Sequence, residues 1–238
     1  MNVYDSIMAE LEALGTDEKR RVLGAFFKTG KGQYGEGDRF MGITVPLARG
    51  VARRHKDAPL ATAVDLLQSE WHEARLCGLL IMVEQMKKAR GDGARVIFET
   101  YLANTRRINN WDLVDLSAPQ IVGGYLKDKP RDILYRLAAS SLLWDNRIAM
   151  VSTYALIKDN QLDDTFALAL QLIGHGHELM HKAVGWMLRE AGKRDFARLR
   201  RFVDDHWREM PRTMLRYAIE KYPEAERKEV LGRRRVNS

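Results

Sequence analysis

Cysteine and proline are scarce in this sequence. The one cysteine, Cys77, lies in the apolar run LCGLLIMV, so an internal disulfide is excluded and the thiol is expected to be buried and unreactive. Only six prolines occur in 238 residues, which leaves long stretches free to form helices. No apolar run approaches the length of a bilayer span, and the first segment, MNVYDSIMAELEALG, is acidic where a secretion signal would be basic. We therefore expect a protein of the reducing cytoplasm, without membrane contact.

Strand patterns are nearly absent as well. No alternating β-branched run is bounded by Asn-Gly or Asp-Gly turns. Most segments instead repeat their apolar residues with the period of an α-helix. In residues 64–88, apolar side chains gather towards one side of such a helix: Leu66, Leu67, Trp71, Leu76, Leu79, Leu80 and Val83. The sequence therefore predicts an all-α fold.

Stretches of similar composition recur along the chain, beginning near residues 72, 109, 144, 177 and 210. Their spacing of about 30 to 40 residues is that of a helix pair in a HEAT-like repeat. Because one pair cannot cover its own apolar face, neighbouring pairs must stack. We predict a single HEAT-like helical-repeat domain over residues 1–238, an α-α superhelix with a concave surface. A short flexible basic tail is expected over residues 232–238, either touching DNA or simply solvated.

Positive charge exceeds negative charge. Lysine and arginine number 39 against 32 aspartates and glutamates, which gives a formal net charge of +7. Such a field favours an anionic partner, with nucleic acid as the first candidate. Cations recur at comparable places in the repeats: Arg75, Arg147, Lys182 and Arg212. We therefore predict a basic concave groove, the alternative being a basic surface that serves only solubility.

Two motifs resemble known chemistry. Gly30, Gly32 and Gly35 match the dinucleotide pattern GxGxxG, but a helical segment precedes them and no βαβ unit follows, which argues against nucleotide binding. The loop Gly30–Gly37 is instead interpreted as a flexible segment whose N–H groups approach a phosphate backbone.

The other motif is HExxH, formed by His177, Glu178 and His181. Zinc proteases place both histidines inside a long helix. Here Gly174 and Gly176 interrupt the chain just before His177, so we expect this residue to cap the helix, and we predict no metal site.

Trp111 and Asp115 are four residues apart in a helical stretch, INNWDLVDLSAP. This spacing separates them by about 40° around the axis, so an indole ring and a carboxylate share one face. The alternative is a core tryptophan with an unrelated surface aspartate. Against it, later repeats also place tryptophans beside cations: Trp144 with Arg147, and Trp186 with Lys182 and Arg189.

The chain also resembles a known family, the AlkD-like DNA alkylation-repair glycosylases. The resemblance extends over nearly the whole chain and is carried by four segments: FKTGKGQYGEGDRFMGITVP (27–46), INNWDLVDLSAP (108–119), LLWDNRIAMVSTYALIK (142–158) and KAVGWMLREAGK (182–193). It implies HEAT-like repeats and a monofunctional hydrolase, without cofactor, that excises positively charged N3- and N7-alkylpurines from duplex DNA in base excision repair. Family members are reported to act without flipping the base, and the sequence alone does not decide that question here.

The resemblance also implies residue roles. The catalytic carboxylate corresponds to Asp115, its aromatic partner to Trp111, and a second lesion-facing ring to Trp186. Arg147 corresponds to an arginine that contacts phosphate, although WDNR has one arginine where related sequences often have two adjacent. Further backbone contacts are expected from Lys158, Lys182 and Arg189.

The expected partner is double-stranded DNA that contains alkylated bases, bound by a monomer in the cytoplasm that associates with the nucleoid through DNA. A second hypothesis is a non-catalytic helical-repeat module that binds DNA or an acidic protein. The presence of Asp115 distinguishes the two hypotheses. Catalysis needs its carboxylate, whereas a module that only binds has no need for an acid that repels phosphate in a basic groove.

Overall fold

The computed structural model describes residues 2–233, and these residues are almost entirely helical. Within that range the only strand-like pairing is an isolated bridge between Arg39 and Trp71. The predicted all-α helical-repeat fold is confirmed. By their internal contacts the residues form two compact units, Met1–Tyr125 and Leu126–Ser238, which are described separately. The single domain and the basic concave groove stay predictions.

The first unit contains seven α-helices among its described residues. Their bounds are α1 Val3–Leu14, α2 Asp17–Phe26, α3 Val45–Arg54, α4 Leu60–Leu67, α5 His72–Lys88, α6 Gly91–Ala103 and α7 Trp111–Asp115. A 3₁₀ turn, Thr105–Arg107, precedes α7, and a π-helical turn, Pro119–Gly123, follows it. The second unit contains α8 Asp132–Ala138, α9 Leu143–Lys158, α10 Asp163–Gln171, α11 Glu178–Gly192, α12 Phe196–His206, α13 Arg212–Ala218 and α14 Glu224–Gly232.

Helix α5 forms the centre of the first unit. Every residue from 72 to 83 is buried, so this helix is enclosed on all sides and not on the one side that the apolar pattern indicated. The apolar run also divides into two helices, α4 and α5. The Arg107 guanidinium donates hydrogen bonds to the carbonyls of Leu67, Gln68 and Ser69 at the end of α4, so these carbonyls have partners where the helix stops. Burial also raises the pKa of the Cys77 thiol to about 12, as expected for an unreactive cysteine.

The second unit is built around α9 and α11. On α9, residues 145–153 and 155–157 are all buried. Helix α11 approaches α13 closely at Gly185, where a Cβ would lie 2.5 Å from the carbonyl oxygen of Met214. This close approach fixes the position of the neighbouring Trp186 on α11.

Across residues 2–233, none of the helices combines the length and apolar character needed to cross a membrane.

The predicted tail 232–238 is described only at its start. Gly232 ends α14, and Arg233 forms ion pairs with Asp204 and Glu229. Residues 234–238 lie outside the described residues.

The packing of α5 against α4 depends on Gly78, because a Cβ there would lie 2.6 Å from the carbonyl oxygen of Ala63. We expect Gly78→Ala to lower the free energy of unfolding by about 1–3 kcal/mol through overpacking. The matched control is Gly50→Ala in α3, where the nearest atom is the end of the Arg54 side chain at 3.6 Å. That change should stabilise the protein by about 0.5–1 kcal/mol. Urea unfolding compares the two, and equal stabilities would contradict the packing argument.

Candidate active site

Helix α7 places the two residues that the sequence singled out. It begins at Trp111, whose backbone N–H donates to the side-chain oxygen of Asn110 over 2.9 Å. The middle residues of this short helix are buried, whereas Trp111 and Asp115 are half-buried. Both line the same cavity, as expected for two side chains on one face of the helix, and their roles in a functional site stay a prediction.

The cavity has a volume of about 410 Å³. Its wall comes from the end of α2, the segment before α3, the start of α5, and α7. The wall is mostly apolar and consists of Leu23, Phe26, Phe27, Phe40, Ile43, Thr44, Val45, Pro46, His72, Glu73, Leu76, Trp111, Asp112, Asp115 and Leu116. The two residues that α2 contributes to the wall, Leu23 and Phe26, are not buried.

A column of stacked rings forms one side of the cavity. The Trp111 and Phe27 centroids are 5.2 Å apart with an interplanar angle of 23°, and Phe27 stacks on Phe40 at 5.1 Å and 17°. Phe40 in turn stacks on the His72 imidazole at 4.5 Å. Phe26 meets Trp111 edge-on at 5.9 Å and is 60% exposed, which is unusual for a phenylalanine. The cavity therefore presents aromatic faces beside a carboxylate.

A buried ion network holds the His72 imidazole at the end of this column. His72 Nε2 lies 2.8 Å from Asp112 Oδ2, and its Nδ1 lies 3.2 Å from Asp38 Oδ2. The Asp38 carboxylate also accepts hydrogen bonds from the Arg75 guanidinium and, over 3.0 Å, from the Asn110 side-chain amide. Because a carboxylate faces each ring nitrogen, both nitrogens donate and the ring carries a proton at each.

The charge on His72 follows from its surroundings. Burial by itself lowers the pKa, but the charge and hydrogen bond of Asp112, followed by those of Asp38, raise the pKa of His72 to about 9. For Asp38, burial works in the opposite direction, and the hydrogen bond from His72 with the charge of Arg75 holds the pKa of that carboxyl below its usual value. At neutral pH the network therefore contains an imidazolium between two carboxylates.

Glu73 fixes the loop that carries the other wall of the cavity. The residue is 1% exposed, and its carboxylate accepts hydrogen bonds from the backbone N–H groups of Met41, Gly42 and Ile43 over 2.8, 2.9 and 3.0 Å. Gly42 has φ +89°, and a Cβ there would lie 2.2 Å from the carbonyl oxygen of Thr16. The loop is thus held between α2 and α5 in one conformation.

In the second unit, Trp186 is accompanied by two residues of α9. The Tyr154 ring lies 5.9 Å from the Trp186 ring. The ammonium of Lys158 lies 4.6 Å from the centroid of Tyr154, and the lysine is exposed. Trp186, Tyr154 and Lys158 therefore form one cluster of an indole, a phenol and a cation. Tyr154 had not been predicted.

The remaining predicted DNA contacts have partners within the protein. Lys182 forms an ion pair with Glu178 at 3.0 Å. Arg189 pairs with Glu190 at 3.4 Å and also with Glu220. These two side chains would have to exchange a carboxylate for a phosphate to act as predicted.

Two other cations of the repeats are buried. Arg147 is 5% exposed and donates from Nη1 to the carbonyl oxygen of Leu179 over 2.6 Å. Arg75 is 3% exposed and forms an ion pair with Asp38. The expectation that Arg75 belongs to an exposed basic surface is wrong, because the network below the cavity holds it. The phosphate-contacting role of Arg147 stays a prediction.

With this geometry established, comparisons with known proteins identify the family. The family model described as DNA alkylation repair enzyme matches residues 7–222. The chain belongs to this family. A solved structure described as a predicted DNA alkylation repair enzyme from Enterococcus faecalis superimposes with a TM-score of 0.67 over 88% of this chain and 97% of the other. At 14% identity, that likeness shows a shared fold. No curated protein gave a significant match.

In this alkylation-repair family member, the HExxH motif begins at a helix cap. His177 lies just before α11, and its Nδ1 accepts a hydrogen bond from the Leu179 backbone N–H over 3.1 Å, so the predicted cap is confirmed. The His175 Nδ1 accepts from the His177 N–H. Burial, with smaller contributions from the neighbouring histidines, lowers the pKa of both His175 and His177. Among residues 2–233, no three His, Cys, Asp or Glu side chains are grouped as metal ligands.

The glycine loop is closed by its own hydrogen bonds. The Gly30 N–H donates to the side-chain oxygen of Gln33 over 3.0 Å, and the Gly32 N–H donates to the Glu36 carboxylate over 2.7 Å. The Gly35 N–H donates to a main-chain carbonyl. The expectation that these N–H groups approach a phosphate backbone is wrong for these three, because each already has an acceptor and one of the acceptors is an anion.

The His72 network makes stability depend on pH. A pKa raised to about 9 from an unfolded value near 6.5 stabilises the fold fully below pH 6.5, and this stabilisation is lost as the pH rises through 9. The loss is at most about 3 kcal/mol. We expect His72→Gln to remove this pH dependence, whereas His206→Gln, outside the network, retains it. Urea unfolding at several pH values between 6.5 and 9 measures it, and an unchanged slope in His72→Gln would refute the assignment.

Proposed function

We propose that this protein is a monofunctional DNA glycosylase that hydrolyses the N-glycosidic bond of positively charged N3- and N7-alkylpurines in duplex DNA. Membership of the DNA alkylation repair enzyme family supports a role in the repair of alkylation damage. The observation that carries the finer proposal is the cavity shared by Trp111 and Asp115, in which a carboxylate lies beside stacked aromatic faces.

The chemistry of the lesion fits such a site. Alkylation at N3 or N7 gives the purine a positive charge, so the base is a good leaving group without a general acid. The bond between C1′ and the purine nitrogen breaks, and its electron pair neutralises the charge of the ring. A water oxygen then bonds to C1′, and the proton of that water passes to the carboxylate or to solvent. The enzyme needs to stabilise the electron-deficient sugar and position the water.

Asp115 is the proposed catalytic residue. A fixed carboxylate near C1′ stabilises the oxocarbenium character of the sugar and orients the water, as the carboxylates of glycoside hydrolases do. The other two carboxylates of the cavity wall are buried and hold parts of the protein: Asp112 binds the His72 imidazolium, and Glu73 accepts three backbone hydrogen bonds. Asp115 is half-buried in the same wall, where a substrate can reach it, and is therefore the better candidate of the three.

The aromatic side chains provide selectivity for a cation. An indole face attracts a positively charged ring or sugar by about 0.5–2 kcal/mol, depending on desolvation, and attracts an uncharged purine less. Trp111 is the proposed aromatic partner in the first unit. Trp186, with Tyr154 beside it, is the proposed second lesion-facing ring.

The backbone contacts are proposed from the cations of the second unit. Lys158 is the strongest of them, since it is exposed and lies against the Tyr154 ring. Lys182 and Arg189 require exchange of their carboxylate partners. Arg147 is proposed to act from a buried position, where its guanidinium is held by the Leu179 carbonyl.

The decisive variant is Asp115→Asn. It keeps the shape of the side chain and removes its charge, so we expect duplex binding to persist while release of 7-methylguanine from methylated DNA falls at least about 100-fold. The matched control is Asp92→Asn, which removes an exposed carboxylate from α6 in the same unit and should leave release unchanged. Chromatography of the released bases, with single-turnover kinetics, measures both.

The other outcomes distinguish the hypotheses. Release that is unchanged in Asp115→Asn would refute the catalytic assignment. If the wild-type protein binds the methylated duplex and releases no base, the non-catalytic binding module replaces the glycosylase.

Lys158→Ala tests the backbone contacts. Loss of one phosphate contact should weaken binding to damaged and undamaged duplexes alike and reduce the slope of log K against log salt by about one. Lys228→Ala on α14 is the control, because Lys228 is exposed and pairs with Glu224. Fluorescence anisotropy across a salt series gives the slopes, and a change in lesion preference alone would contradict the proposed role.

A further inference from the structure

Helix α7 is held in the first unit at two polar points, and both involve the buried network. Asp112, inside the helix, binds His72 Nε2 at 2.8 Å. Asn110, just before the helix, donates from its side-chain amide to Asp38 Oδ2 over 3.0 Å, while its oxygen accepts the Trp111 N–H. Because His72 Nδ1 also contacts that Asp38 oxygen at 3.2 Å, both points depend on the same imidazole.

The helix is too short to set its own direction. It has five residues, and isolated helices below about 12–15 residues are marginal in water. Leu113 and Val114 are fully buried, so apolar packing keeps the helix in the protein. Apolar contact is non-directional, however, whereas hydrogen bonds require a narrow range of distance and angle. The polar contacts therefore decide where Trp111 and Asp115 point.

Two negative and two positive groups balance in the network while the His72 imidazole is protonated. Asp38 faces the ring from the segment before α3, and Asp112 faces it from α7. On α5 itself, Arg75 pairs with Asp38. The faces of the ring meet uncharged phenylalanine rings. Glu73, the next residue of α5, directs its carboxylate to the backbone N–H groups of the loop before α3.

Loss of one proton would disturb α7 from either side of the ring. A neutral imidazole has one N–H, so the lone pair of its other nitrogen faces a carboxylate. If Nε2 loses the proton, the contact with Asp112 in α7 is lost; if Nδ1 loses it, Asp38 is repelled, and Asp38 holds the Asn110 cap of α7. A buried excess of one negative charge remains in both cases, and the Asp115 carboxylate in the same cavity wall adds to it.

We infer that His72 is a positioning residue whose protonated imidazole holds α7 so that Trp111 and Asp115 lie where the reaction needs them, and that loss of this proton to solvent slows base release without preventing duplex binding. Where it concerns the rate of base release, this inference rests on the proposed function. A displacement of about 1 Å at a reacting group can lower a rate about 100-fold, so a small movement of α7 is enough.

The first experiment needs no DNA. The full chain is labelled with 5-fluorotryptophan, and the fluorine NMR resonance of Trp111 is assigned by its absence in Trp111→Phe. Burial lowers the pKa of His72, but Asp112 and then Asp38 raise that pKa to about 9. We therefore expect the Trp111 resonance to move between pH 7.5 and 10 with a midpoint near 9, and to stay in place in His72→Gln.

The second experiment measures base release. Protein in excess over the methylated duplex gives single-turnover rates, so the rate reports the chemical step and not binding. A group with a pKa of about 9 is about one quarter protonated at pH 9.5, so we expect release of 7-methylguanine to fall about fourfold between pH 7.5 and 9.5. His72→Gln should be slower than the wild type at pH 7.5, with a rate that does not change over this range. Reactions without protein correct for spontaneous loss of the base.

His55→Gln is the matched control, because His55 also bonds to a carboxylate, that of Glu10, in the same unit but outside the cavity wall. It should behave like the wild type at every pH. Fluorescence anisotropy should give duplex affinities that agree within about twofold for the wild type and His72→Gln. Far-UV circular dichroism at each pH follows the helices. A loss of helix with the same midpoint would mean that His72 holds the whole fold, and would overturn the positioning role.

The two proposals can fail separately. A Trp111 resonance that does not move in the wild type, a wild-type rate that stays constant to pH 9.5, or a rate that falls equally in His72→Gln would refute the positioning role and leave the glycosylase intact. A resonance that moves as expected in a protein that releases no base would refute the glycosylase and leave His72 as the residue that positions α7.

Discussion

The site depends on the buried imidazolium of His72 between the carboxylates of Asp38 and Asp112. Three pieces of chain that are distant in sequence meet there: the segment after the glycine loop, the start of α5, and α7. Taking a charged histidine out of water is unfavourable, and the two carboxylates offset that cost only while all three pieces are in place. The position of α7, and with it of Trp111 and Asp115, therefore depends on this network.

Neighbouring carboxylates in the cavity wall have different tasks because their surroundings differ. Asp112 holds an imidazolium and Glu73 holds a loop through three backbone N–H groups, so both are structural. Asp115, one helical turn after Trp111, lies half-buried in the wall of the cavity. Carboxylates thus both build the site and are proposed to perform its chemistry. The surroundings of each carboxylate decide which of these two roles it has.

Local patterns in the sequence predicted what local geometry determines. The helical period predicted the all-α fold, the four-residue spacing placed Trp111 and Asp115 on one face, and two glycines predicted the cap at His177. The network was not predictable in this way, since His72 is 34 residues from Asp38 and 40 from Asp112. For the same reason the sequence pattern places Arg75 among the surface cations, although it is buried. Polar residues within the apolar run that forms α5 were the one available signal of a buried network.

The most direct test of the account is the position of the damaged base in a crystal structure of Asp115→Asn bound to a duplex with 7-methyl-2′-fluoro-2′-deoxyguanosine. We predict that C1′ of the damaged nucleotide lies beside the side chain at position 115, with Trp111 in contact with the lesion or its deoxyribose. A damaged nucleotide whose C1′ lies beyond contact of that side chain would contradict the catalytic role of Asp115.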